Sequence, residues 1–198
     1  MKKGSILFSA LAILLATLFM AAMPTEAEGA VYEDTVRLHI LAASDSEEDQ
    51  ALKLGLRDAL LGEYGEVLKG AVSKEGATEL LRGELDSIAA FSEELVRESG
   101  YTYPVSVTLG EEWYDTRDYG DFSLPSGIYT SLIVRIGEGE GKNWWCVMYP
   151  PLCLDVATEP SPPDDAAIGY TDEEVRLISG KGYRIKFKLL ELFSDAFS

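Results

Sequence analysis

Residues 4–23 carry no charged side chain, and Lys2 and Lys3 stand directly before them. A mostly apolar run of that length, as a helix of about 20 residues, matches the ~30 Å hydrocarbon core of a bilayer. Pro24 ends the run, and Thr25-Glu26-Ala27 places small residues at both determining positions of a cleavage site after Ala27. A basic start, an apolar middle and a small-residue exit are the layout of an export signal. Residues 1–27 therefore read as an export signal, or as an N-terminal membrane anchor if they are retained. Either way the body crosses a membrane, and residues 28–34 read as a polar spacer leading into it.

Export bears directly on the two cysteines, Cys146 and Cys153. Outside the cytoplasm two cysteines usually pair. The C-x-x-C spacing of a redox site is absent, because six residues intervene. A zinc site normally takes four Cys or His ligands, and His39 is the sole histidine. Fully extended, the intervening chain would span more than ~20 Å, whereas disulfide Cα atoms lie roughly 4.4–6.8 Å apart. The chain must turn back, and Pro150-Pro151 stand where it would do so. A structural disulfide worth about 2–3 kcal/mol is expected; two buried free thiols are the alternative.

Charge narrows the classes of partner. The chain has 17 basic and 34 acidic residues, a net charge of −17. Such a body repels nucleic acid and anionic head groups, so no nucleic-acid partner is expected. Its acidity reads as a soluble surface or as steering toward a basic partner. A hydrophobic content of 46% is enough for one folded core and excludes a disordered acidic tail.

Periodicity places the elements. Thr35–Leu41 alternates Val36, Leu38 and Ile40 against Arg37 and His39, as a half-buried strand does. Ser46 caps a following helix with Glu47, Glu48 and Asp49 in its first turn, and Gly62 is expected to fray or break it. Leu81, Leu85, Ile88, Phe91 and Leu95 form the stripe of a second helix, stopped at Gly100. Strands follow at Val105–Leu109, Ile128–Ile136 and Asn143–Tyr149. The last two flank a glycine-rich link and read as a hairpin. Thr171 and Glu174 form a capping box for a short helix over 172–178. The terminal segment from Arg184 fits helix or strand, and helix is favoured. The expected class is α+β, order β-α-α-β-β-β-α, with two helices on one face of a mainly antiparallel sheet. Residues 35–153 form the main domain and 154–198 an extension with a terminal helix.

The candidate chemistry is thin. Any Ser-His-Asp scheme must use His39 with Ser44 and Asp45, and no G-x-S-x-G elbow accompanies them. Asp45, Glu47 and Asp49 imitate the start of a calcium loop, but Gln50 and Leu56 replace its Gly and Glu. GEGEGKN lacks the glycine and Ser/Thr positions of a phosphate loop. Glu111 and Glu112 suggest a glycosidase pair only if they face one cleft. No catalytic residue, metal or cofactor is expected. Trp144 and Trp145 point to opposite faces of their strand. Either both rings are covered by packing, or one is exposed as a contact beside the Pro loop.

Three segments, RLHILAASDSEEDQALKLGLRDALL, YGDFSLPSGIY and IGEGEGKNWWCVMYPPLC, together resemble the stage II sporulation protein R family. The resemblance runs from about Val36 to Cys153. It implies an exported signal of endospore formers, released into the space between forespore and mother-cell membranes or tethered there by an uncleaved N-terminal segment. The implied partner is a membrane-embedded sporulation aspartic protease that matures the precursor of sporulation sigma factor E, with the catalytic aspartates on the protease. On that reading Arg37, His39, Ser44, Asp45, Asp49 and Gln50 are motif positions with structural or contact roles. The receptor-contact candidates are Asn143, Trp144, Trp145, Tyr149, Pro150 and Pro151. The alternative is a cell-wall-associated glycan-binding module or hydrolase that uses the tryptophans as a sugar platform.

Overall fold

A computed structural model describes residues 2–23, 26–119, 122–152 and 169–179; the side chains of 2–5, 7, 21, 22, 27, 66, 67 and 69 are outside the description. In chain order the elements are α1 (Lys2–Ala22), α2 (Glu26–Glu33), β1 (Val36–Leu41), α3 (Glu47–Lys69), α4 (Lys74–Glu98), β2 (Val105–Tyr114), β3 (Arg117–Asp118), β4 (Ser123–Leu124), β5 (Gly127–Ile136), β6 (Asn143–Tyr149) and α5 (Asp172–Ser179). The α+β class holds. Cys153, the extension over 154–168 and the terminal segment 180–198 lie outside the described residues. The expected cysteine pair and terminal helix therefore lie outside them too.

The main sheet has four strands in the order β2-β5-β1-β6. It is mixed rather than mainly antiparallel: β1 runs parallel to β5, while β2–β5 and β1–β6 are antiparallel. The expected β5–β6 hairpin does not form, because β1 lies between its two strands. The physical reason is burial. Val36 through Ile40 are buried on both faces, Arg37 and His39 included, and only a central strand is covered on both sides. The glycine-rich link lets the chain step over β1, with Gly137 and Gly139 at φ 59° and 70°.

Each face of this sheet has its own core. Val36, Leu38, Ile40, Leu132, Val134, Ile136, Cys146 and Met148 join leucines of α3 and α4 in one cluster. Tyr114, Tyr129 and Val147 join Val31 of α2, Phe122, Leu124, Tyr170, Leu177 and Ile178 in the other. Helices thus cover both faces, where a helical pair on one face was expected. The spacer expected over 28–34 is mostly helical, with Val31 buried in the second core.

Helix ends follow local chemistry. Ser46 Oγ accepts from Asp49 N at 3.1 Å, as its cap position requires. Ser73 Oγ does the same for Gly76 N in α4. The Thr171–Glu174 box forms, with Thr171 Oγ donating to Glu174 Oε2 at 2.7 Å. Contrary to expectation, α3 runs through Gly62 to Lys69. Leu60, Leu61 and Leu68 bury around the glycines, and that packing outweighs about 1 kcal/mol per glycine.

Of α1, the described side chains from 8 to 20 are exposed throughout. Among the described residues no helix is long and apolar enough to cross a membrane.

Candidate functional site

The two densest sequence motifs meet at one seam. Leaving β1, the chain turns through Ala42–Ser46 and runs against the entry to β6. Gly141 N donates to Ala42 O at 2.9 Å, and Lys142 N donates to Asp45 Oδ1 at 2.6 Å. Behind them Ser44 Oγ donates to Asp49 Oδ2 at 2.5 Å, and Gln50 Nε2 donates to Ser44 O at 2.8 Å. Lys53 closes the seam by donating to Gln50 Oε1 at 2.6 Å and to Lys142 O at 2.9 Å. Burial pushes the Lys53 ammonium below its ordinary pKa, with Arg57 adding to the effect. The approach is close enough that a Cβ on Gly141 would lie 2.1 Å from Ser44 O. Glycine at 141 is therefore a packing requirement.

This arrangement fixes what the motif residues do. Ser44 bonds to Asp49, whereas His39 Nδ1 lies 2.7 Å from Glu112 Oε2. The proposed Ser44-His39-Asp45 set does not assemble. Asp45 and Asp49 are each committed to different partners, and no group of three or more His, Cys, Asp or Glu among the described residues could hold a metal ion. Successive strand residues point to opposite faces, so Glu111 and Glu112 cannot flank one cleft.

The contact candidates on β6 are less open than a docking anchor would be. Asn143, Trp144 and Trp145 are half-buried, Tyr149 and Pro150 are buried, and Pro151 is half-buried. Trp144 packs on the aliphatic core, with the Arg57 guanidinium 5.0 Å from its ring centre. Trp145 packs on the other core, stacked on His39 at 5.4 Å with Arg117 at 3.7 Å over its ring. Both indoles thus hold cations.

Arg37 and His39 define a second, polar-aromatic centre. Arg37 is 0% exposed. Its guanidinium lies 3.9 Å from the Tyr114 ring centre and 5.0 Å from that of Tyr129, and Nη2 donates to Tyr119 Oη at 2.6 Å. Nε and Nη1 have no hydrogen-bond partner. Tyr114 Oη bridges Glu112 Oε2 and Ser131 Oγ, each at 2.8 Å. Burial pushes the Tyr114, Tyr119 and Tyr129 phenols upward. The cluster is held by π faces and neutral hydroxyls with a single carboxylate, Glu112.

Tyr114, Tyr119 and Tyr129 escaped the sequence reading, and Glu112 was singled out only as half of a glycosidase pair, not as the partner of His39. Their spacing is ordinary for strands and loops, and only the sheet register brings them to Arg37. Trp113 was also missed as a surface feature. It is 55% exposed, as is its cross-strand neighbour Ile128.

Comparison with known proteins agrees with the motif geometry. The family model described as stage II sporulation protein R matches residues 32–159, which include the whole seam. A Bacillus subtilis (strain 168) protein named stage II sporulation protein R is 33% identical over 185 residues, covering 84% of this chain and 83% of that protein. No solved structure matches the chain. With the match spanning more than half of the chain and its seam intact, the chain belongs to the stage II sporulation protein R family.

Proposed function

We propose that the chain is an exported sporulation signal that activates a membrane-embedded aspartic protease, which then matures the precursor of sporulation sigma factor E. The observation that carries this reading is the family match over residues 32–159. The basic and apolar N-terminus is consistent with export. The commitment of Ser44, Asp45, Asp49 and His39 to internal bonds is consistent with a ligand rather than an enzyme. On this reading the protein acts between the forespore and mother-cell membranes, either freed by cleavage or tethered through residues 1–27. There Cys146 and Cys153 form a disulfide that closes the loop after β6.

Activation by a ligand requires tighter binding to the active state of the protease than to the inactive one. The seam and β6 offer a rigid surface for that discrimination, with Trp144 and Trp145 fixed by cations on opposite faces. The test is co-expression of the full chain with the protease and the sigma precursor in a host lacking other sporulation genes. Processing is expected; unprocessed precursor beside verified exported protein would refute the reading. Trp144→Ala and Trp145→Ala variants that fold and still trigger full processing would remove β6 from the contact surface.

A further inference from the structure

β2 forms one edge of the main sheet. All ten of its residues, 105–114, pair with β5 in an unbroken register. Among the described residues no backbone group of 105–114 bonds to anything except β5, while α4 packs on one face of the strand. β2 therefore presents a row of outward N–H and C=O groups. Natural edges of this length are normally blunted by Pro, Lys, a bulge or a covering element. Between Val105 and Tyr114 there is no Pro, Lys or Arg, and the pairing shows no bulge.

We propose that β2 receives an extended, basic segment of a partner protein as an added strand. Main-chain bonds to the open edge would hold the segment, and side-chain matching would select it. Charge identifies the occupant. The acids Glu111, Glu112 and Asp115 cluster at the end of the strand, no cation lies within 105–116, and the chain as a whole carries −17. Glu111 is exposed on the strand, and the exposed Trp113–Ile128 pair lies beside it. A partner strand alternating cations with aliphatic residues satisfies both features. A second copy does not, because two bodies of this charge repel. The inference concerns how a partner is held and does not depend on the partner being a protease.

The test uses the full chain in a mild non-ionic detergent. Its probe is an acetylated, amidated peptide of about eight residues alternating lysine with valine. In the free protein, outward amides of 105–114 should exchange rapidly with solvent. Saturating peptide should slow them about tenfold or more, while amides that bond to β5 are little changed. Trp113→Ala should weaken peptide binding about tenfold, and Glu111→Lys about fivefold. Methylating the peptide amides on one edge should abolish binding with its charge intact. The proposal is overturned if the methylated peptide or an alternating Glu/Val peptide binds equally well. It is also overturned if the lysine peptide gives no protection at millimolar concentration. A dimer with β2 amides protected before any peptide is added would assign the edge to a second copy and overturn it as well.

Discussion

The two faces of the central sheet are built from the same four strands but on different physical terms. On one, Val36, Leu38 and Ile40 meet the leucines of α3 and α4 in an aliphatic core. On the other, Arg37 and His39 meet tyrosines, Trp145 and Glu112. The aliphatic face is stabilised by area removed from water, which is tolerant of detail. The polar-aromatic face depends on directional partners, and one lost partner exposes the cost of a buried polar group. Alternation along β1 puts a force-insensitive layer and a geometry-sensitive layer on one strand. The first sustains the fold, and the second is where small changes alter the surface beneath Trp145.

That contrast can be broken by experiment. Leu56→Ala, fully buried in the aliphatic core, should cost about 3 kcal/mol in denaturant unfolding. A cost below ~1 kcal/mol would mean that this face is not the main source of stability. Gly141→Ala at the seam should cost about 2–3 kcal/mol, because its Cβ would strike the Ser44 carbonyl rather than a movable side chain. Wild-type stability in that variant would show that the seam opens freely. On the polar face, Glu112→Ala should cost about 1–2 kcal/mol by leaving buried His39 without its carboxylate partner and Tyr114 with Ser131 alone.

Arg37→Met sharpens the comparison further. Two guanidinium nitrogens have no hydrogen-bond partner, so an apolar side chain of similar length should change stability by no more than about 1 kcal/mol. A loss above ~3 kcal/mol would show that the tyrosine faces compensate the buried charge almost fully. Smallest in effect is a pH dependence at the rim of this face. Burial and then Glu174 push the Asp34 carboxyl up from its ordinary value of 3.8 to about 6. The folded protein therefore binds this proton more tightly than the unfolded chain does. Its contribution to stability is fully present below pH ~4 and is lost as pH rises through about 6. Asp34→Asn should accordingly be more stable than wild type at pH ~7, with the gap closing toward pH ~4. A gap independent of pH would contradict the assignment.

Much of this architecture was legible in the residues. The caps at Ser46 and Thr171, the stripe from Leu81 to Leu95 and the alternation of Val36, Leu38 and Ile40 depend on neighbours within one or two turns. Motif residues 44–50 and 141–146 were recognisable as a set. That Asp45 caps Lys142 N while Gln50 holds the Ser44 carbonyl was not, because the two segments are joined only by the pairing of β1 with β6.

The sequence by itself determined the α+β class, the caps at Ser46 and Thr171 and the family, because periodicity, capping and motif identity are local. Only the tertiary structure decided that β1 enters between β5 and β6, that Glu112 rather than Ser44 meets His39, and that Trp113 is the exposed indole. Strand order is chosen by which pairing buries both faces of Val36–Ile40 at once. That is a property of the whole sheet, and no window along the chain contains it.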